Sequence, residues 1–444
     1  MGHISEHDLA RDATMPQAGE GTFIDLFAGC GGLSLGLMAA GWKGLFAVER
    51  SPDAFKTLRH NFIDGSSTAP RQLRFAWPDW LPAEPGDANQ FLETYFSELS
   101  KYRGKVTLVA GGPPCQGFSF AGRRQAQDPR NQLFKRHLEL VDFLRPEVVL
   151  LENVLGISIA HGRTKWLQNG GRGRPRQSYA EKIKHLLEQH GYESQQELVR
   201  ACDFGVPQYR PRYLTIGIRR DLLKGKPAPS FFAILASLRT EFRRSHGLPL
   251  DREVTVAEAI SDLRLTGKDI VPCDDTESPR GFTQIRYVAP ESDYQRLMHG
   301  DLNGHPVNSL RIPNHRPTTV AKFTKILVSC RKGVQLSASD RERLGIKKSS
   351  FVPLDGEKPS HTLTTLPDDL LHYAEPRIHT VREHARLQSF PDWFDFRGKY
   401  TTGGDRRTKE CPRYTQVGNA VPPLLAEAVG MALSDFRKKA LKSR

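Results

Sequence analysis

The chain has 444 residues, 38% of them hydrophobic and 26% charged, which suffices for two or three domains with real cores. Lysine and arginine (64) outnumber aspartate and glutamate (50), so the net charge is +14 and a polyanionic partner is favoured. No apolar run nears the ~20 residues that cross a bilayer, and the six cysteines form no CxxC pair, so a membrane protein, a zinc cluster and a small disulfide scaffold are excluded.

Residues 1–21 lack an apolar secretory core and are predicted to be a disordered tail. TFIDLF then predicts a strand, AGCGG a turn, LSLGLMAAGW a helix, LFAVE a second strand and PDAFKTLRHNF a second helix. Residues 60–90 are irregular. QFLETYFSELSKY predicts a helix, KVTLVAGG a strand, QLFKRHLELVDFLR a helix, EVVLLENV a strand and YAEKIKHLLEQHGY a helix. ELVRACDFGV and YLTIGIRR predict two more strands. This alternation over residues 22–220 implies an α/β fold with a doubly wound, mostly parallel sheet and ligands at the carboxyl ends of its strands. From 221 to 376 the chain is rich in Pro, Arg and Lys and weakly periodic, which predicts a second, smaller domain with few helices. Residues 377–444 return to order with TVREHARLQSF and PLLAEAVGMALSDF and end in a basic tail.

Three glycines, Gly29, Gly31 and Gly32, separate the first strand from the first helix, and glycines there let a ligand approach the backbone at a helix N-terminus. The spacing is GxGG rather than GxGxxG, and no GKS or GKT follows. About 20 residues on, the second strand ends in Glu49, placed to accept hydrogen bonds from ribose hydroxyls. The pattern suits an adenosyl cofactor without a pyrophosphate; a tight turn without a ligand is the competing reading.

GGPPCQGFS follows the strand VTLVA. Two prolines stiffen this loop and present Cys115 at the carboxyl end of the sheet, where a thiolate could serve as nucleophile. Most lone cysteines are instead buried and inert. ENV closes the next strand, so Glu152 shares that rim and could donate a proton, the plainer role being a helix cap. QYRPR adds Arg210 and Arg212, two forks able to hold a carbonyl or phosphate oxygen.

FAGCGG, GGPPCQGFS, ENV, QYRPR, RLQSFPDWF and QVGNAVPP occur in that order, and in this the chain resembles the DNA (cytosine-5)-methyltransferases of bacterial type. The likeness covers residues 22–220 and 377–430; the stretch 221–376 falls where that family keeps its variable target-recognition domain. The resemblance implies a class I, Rossmann-like methyltransferase fold, S-adenosylmethionine as methyl donor, and C5 of a cytosine within a specific duplex DNA sequence as acceptor. It implies that Cys115 adds to C6, that Glu152 protonates N3, that Arg212 holds O2 and that Arg210 supports the pocket, with the base flipped out of the duplex. Gln116 to Arg124 resembles a mobile catalytic loop, with Gln116, Ser119, Arg123 and Arg124 as DNA contacts.

The cofactor residues follow similarly. Phe27 matches the aromatic near the adenine and sulfonium, and the backbone of Ala28, Gly29, Cys30, Gly31 and Gly32 faces the methionine part. Glu49 takes the ribose, and Pro114, Leu133, Asn419 and Val421 match wall positions. Arg50 stands where many relatives carry an aromatic. The acid reading the adenine amine is assigned to Asp79, with Asp87 as its substitute. No metal is implied. Thr364 lies in a stretch resembling the constant part of the recognition domain, which approaches the flipped nucleotide. Arg172 and Arg174 in NGGRGRPR suit either a minor-groove hook or a basic loop touching phosphates.

The implied partner is double-stranded DNA, with a cognate restriction endonuclease acting on the same site as a further one. The expected form is a monomer in the bacterial cytoplasm, without membrane association. Two alternatives stay open. One is a cytosine-5 methyltransferase acting on tRNA, against which the long insert 221–376 speaks. The other is a non-catalytic DNA-binding protein that keeps the fold, against which the intact Cys115, Glu152 and Arg212 speak.

Overall fold

The computed structural model describes residues 21–64, 70–113, 133–158, 178–300, 302, 304–402, 406 and 409–442. A six-stranded sheet forms its centre, in the order β2-β1-β3-β4-β6-β5. The strands are β1 (Thr22–Leu26), β2 (Lys43–Val48), β3 (Leu108–Gly111), β4 (Val148–Asn153), β5 (Tyr192–Arg200) and β6 (Pro211–Arg219). β1 to β4 pair in parallel, whereas β6 runs antiparallel between β4 and β5. The sheet is therefore the mostly parallel α/β sheet anticipated from the alternating elements.

The apolar runs of β1 to β4 are continuous because helices cover both faces. Alternate side chains divide between two cores. Phe23, Ala47, Leu108, Ala110, Val148 and Leu150 face α1 (Gly32–Ala39), α2 (Pro52–Phe62) and the C-terminal helix Pro423–Lys442. Ile24, Phe46, Val48, Val109, Val149 and Leu151 face α3 (Ala88–Thr94), α4 (Phe96–Ser100), α5 (Leu133–Leu144) and the helix Tyr179–Gln189. Helix α1, GLSLGLMA, is buried from Gly32 to Met38 because it is wedged between sheet and C-terminal helix. Its Gly36 makes that possible: a Cβ there would run into Ala426 and the carbonyl of Pro423.

The chain beyond residue 221 departs from expectation. It holds the helices Phe231–Ser245, Val256–Ile260, Asp293–His299, Pro317–Ser329 and Ala338–Leu344, so it is not poor in helix. Nor does packing break at 221. Phe231, Ile234, Leu235, Phe242, Val256 and Ile260 belong to the same apolar core as β1 and the C-terminal helix, and Phe231 stacks edge-on to Phe436. Among the described residues two satellite clusters stand apart, one around Leu263, Ile285 and Leu310, the other around Phe323, Ile326, Leu344 and Phe351. No helix of the described residues is long and apolar enough to cross a membrane.

Candidate active site

Strand register builds the site. Leu26 pairs with Val48 and with Gly111, and Gly111 with Leu151. The next residue of each strand therefore falls in one row at the carboxyl end of the sheet: Phe27, Glu49, Gly112 and Glu152. Parallel strands with covered faces leave this edge open for ligands.

At one end of the row the chain after β1 turns sharply. Phe27 has φ 60°, a strained left-handed conformation for an aromatic residue, and Gly29 (φ 59°) and Gly31 (φ 96°) follow. Glu49 clamps this loop: Oε2 accepts from the Gly29 N–H at 2.9 Å, and Oε1 from the Ser51 N–H at 2.7 Å. Burial raises the Glu49 pKa, and the two N–H donors oppose that rise. Gly32 lies against the chain after QVGN; a Cβ there would strike the carbonyl of Val421, with Ala420 and Phe390 close by. The loop therefore brings Asn419 and Val421, nearly 400 residues away in sequence, beside the first turn of α1. Asn419 is exposed and Val421 half-buried. The Cys30 side chain faces away, buried and donating to the carbonyl of Gln416, and burial drives its thiol pKa far up. Cys30 thus belongs to this loop through its backbone. Arg50 is exposed.

Behind the loop lies a feature that the motif reading passed over. Asp25 is fully buried on β1, and its Oδ2 accepts from Ser34 Oγ at 2.5 Å. Its other oxygen, Oδ1, is buried with no partner. Burial above all pushes its pKa up to about 7, the Ser34 bond pulling the other way and Glu49 adding to the rise.

At the other end of the row, Glu152 Oε1 stands 2.5 Å from Arg212 Nε, both side chains at most 13% exposed. The antiparallel β6 sets this pair, since Leu214 is the register partner of Glu152 and Arg212 lies two residues earlier. The contact is a close, largely buried ion pair. Burial lowers the Arg212 pKa, and Glu152 offsets this. A Cβ on Gly112 would lie 3.1 Å from Glu152 Oε2, so glycine keeps this corner open. The loop carrying Cys115 departs from here.

Arg210 does something else. It is buried, and its fork donates to the carbonyls of Leu363, Gly418 and Ala420 and to Gln208 Oε1. Gln388 joins this hub through the carbonyls of Val417 and Ala420 and through Gln208. Both ends of the fork are consumed by protein oxygens, so Arg210 positions chain segments rather than meeting a substrate. Through Leu363 it anchors Thr364, exposed and bonded to Asp369.

Asp79 is exposed in the turn Pro78–Leu81, with nothing tying it to the row. Asp87 directly follows Gly86, whose N–H bonds to the carbonyl of Glu49 at 2.9 Å, and it caps α3 by accepting from the Asn89 N–H. Ala88 and Asn89, with Leu26, Phe91, Arg136 and Leu140, line a cleft of about 40 Å³ beside the row. Leu133 opens α5, which forms one wall of that cleft. Cys115, Pro114, Gln116, Ser119, Arg123, Arg124, Arg172 and Arg174 lie outside the described residues.

An open strand-end row, a clamped glycine loop and a buried carboxylate–arginine pair mark an α/β enzyme whose site lies at the carboxyl ends of its strands. The family is settled by comparison: the chain matches the C-5 cytosine-specific DNA methylases over residues 21–435, and it belongs to that family. It is a DNA (cytosine-5)-methyltransferase, transferring a methyl group to C5 of cytosine in DNA. Among its relatives are the Type II methyltransferases M.DdeI of Desulfomicrobium norvegicum, 31% identical over 93% of this chain and 88% of the relative, and M1.HphI of Haemophilus parahaemolyticus, 31% identical over 93% and 86%. A DNA modification methyltransferase encoded within an Escherichia coli prophage has the same fold, with a TM-score of 0.61 and 25% identity over 94% of this chain and 99% of that one.

Proposed function

We propose that this enzyme methylates one cytosine within a defined duplex DNA sequence, with Cys115 as nucleophile and S-adenosylmethionine as cofactor. The observation that carries this reading is the Glu152–Arg212 pair at the strand-end row, beside the glycine from which the Cys115 loop departs.

The residues at the other end of the row fit a cationic adenosyl cofactor. Glu49 has two oxygens, each holding one backbone N–H and each keeping a free lone pair for a ribose hydroxyl. The orphan Oδ1 of Asp25 adds one unpartnered carboxyl oxygen behind the glycine loop. Asp87, in place of Asp79, is the acid for the adenine amine, because the Gly86 N–H bond to the carbonyl of Glu49 brings its backbone beside the row. When bound there, S-adenosylmethionine supplies an electrophilic methyl group.

The chain's own residues then act on the cytosine. C5 is a poor nucleophile until addition at C6 breaks the ring's conjugation. The Cys115 thiolate forms that bond. Glu152 gives a proton to N3, so the electron pair settles on nitrogen, and Arg212 holds O2 while keeping Glu152 in place. After methylation, the C5 proton passes to a water base, Cys115 leaves C6 as thiolate, and N3 returns its proton to Glu152, which restores the ring. Residues 221–376 supply the target-recognition surface, with Thr364 near the flipped nucleotide, and a restriction endonuclease of the same site completes a restriction–modification pair.

A duplex with 5-fluorocytosine at the target tests the mechanism, because fluorine cannot leave C5 as a cation. The enzyme should form a denaturant-resistant adduct that requires S-adenosylmethionine. Cys115→Ser should form none, and Glu152→Gln should form it far more slowly while still binding DNA. An adduct surviving Cys115→Ser moves the nucleophile elsewhere. Methylation of a tRNA transcript in preference to the duplex overturns the substrate.

A further inference from the structure

The pole of the sheet opposite the strand-end row has a character of its own. Here β1 to β4 begin, β5 begins at Tyr192, and the reversed β6 ends at Arg219. Hydrogen bonds stitch the intervening segments into one surface. Gly104 N–H bonds the carbonyl of Leu144, Arg219 N–H that of Glu147, and Arg220 N–H that of Gly191. Arg219 also reaches the carbonyl of Arg145 at 2.6 Å. The far end of the C-terminal helix joins through Arg437, which pairs with Glu147.

Three carboxylates of this pole are occupied, Glu147 by Arg437, Asp221 by Arg219, and Asp142 by His190, and Glu98 and Asp435 are half-buried. The fully exposed remainder is mainly basic. Lys101, Lys105, Arg220, Lys224, Lys438 and Lys442 are exposed and enter no ion pair among the described residues. They come from three separate stretches: the turn before β3, the turn after β6, and the last turns of the C-terminal helix. None can reach a base held at the opposite edge of the sheet.

We propose that this pole is a second, sequence-independent binding surface for the phosphate backbone of duplex DNA, distinct from the catalytic cleft. Mobile ammonium groups spread over a rigid edge suit phosphates, which need charge rather than a fitted pocket. The polymer is at hand as well, since an enzyme seated on a long duplex meets further segments of it at high local concentration. The surface lets one molecule hold two segments, and so pass from one to another without full release.

The test uses the full chain with its cleft first filled by a short duplex carrying its mapped methylation site. A second labelled duplex of unrelated sequence is then titrated in. Wild type should bind it at low salt, with log affinity falling against log salt with a slope of about −3 to −4 if four phosphates are neutralised. The variant Lys105→Gln, Arg220→Gln, Lys224→Gln, Lys438→Gln should lose this second event by at least ~tenfold, a shift of about one log unit. Its methylation rate on the short duplex alone should stay within about twofold, because no substituted residue touches the cleft. Equal binding of the second duplex by both proteins overturns the proposal. So does a loss that falls equally on the first duplex, or a surface that takes poly-glutamate but no DNA. Failure of the catalytic reading shows separately, as an unmethylated short duplex.

Discussion

Arg210→Met separates two arginines that stand two residues apart. Methionine replaces the aliphatic stem and removes the fork. Of the four oxygens that the fork serves, Ala420 O keeps Gln388 and Gln208 Oε1 keeps the Leu363 N–H. The carbonyls of Leu363 and Gly418 keep no donor among the described residues. Each buried orphan costs about 1–3 kcal/mol, giving about 2–6 kcal/mol, and relief from burying a guanidinium returns part of this. The expected loss is thus about 2–4 kcal/mol. Urea unfolding at constant slope measures it, and calorimetric titration with S-adenosylmethionine should show weakened binding, because Gly418 and Ala420 flank Asn419, proposed as part of the cofactor wall. Arg212→Met should do the reverse, sparing cofactor affinity and abolishing turnover. A loss below ~0.5 kcal/mol with normal cofactor affinity for Arg210→Met refutes the hub.

Asp87→Ala should weaken S-adenosylmethionine binding by about 1–3 kcal/mol, read by calorimetry, whereas Asp79→Ala should change neither affinity nor stability; the opposite order restores Asp79. Asp25 has a folded pKa of about 7 against an ordinary value of 3.8. The folded state therefore holds a proton that the unfolded chain releases, so this group's contribution to stability is full below pH ~4 and is lost as pH rises to ~7. Asp25→Asn should flatten that part of the melting-temperature profile and raise the melting temperature at pH 8; an unaltered profile places the charge elsewhere.

What could be read from the chain alone was what local pattern encodes. Continuous apolar runs marked β1 to β4, and their last residues put Glu49 and Glu152 on one rim because parallel strands share a direction. Arg210 and Arg212 looked alike because their difference lies in partners 153 to 210 residues away, which no local spacing reveals. WPDWL, which carries Asp79, closes as a turn, with Trp77 Nε1 donating to the carbonyl of Leu81. Asp87 caps α3, and the neighbouring Gly86 N–H bonds the carbonyl of Glu49, so capping does not exclude the part proposed for it. Asp25 escaped notice because a charged residue inside an apolar strand has no motif. Its signal was the anomaly itself, an acid in TFIDL, where every neighbour is buried.

The way the central segment is rooted bears on specificity grafting. A transplant between relatives that cuts at 221 and 376 would carry off Phe231, Phe242 and Ile260 and strip Phe436 of its stacking partner. It would also sever Leu363 from Arg210. The host would lose part of its own interior and gain a donor surface shaped for another protein. Junctions near Leu263 and Phe351 exchange most of the two satellite clusters and disturb the shared interior only at Tyr294 and Met298, with Leu371 and Ile378 of the second cluster staying in the host. The interchangeable cassette is therefore shorter than the stretch of weak periodicity. Its flanks, Phe231–Ile260 and Val352–Leu371, travel with the host.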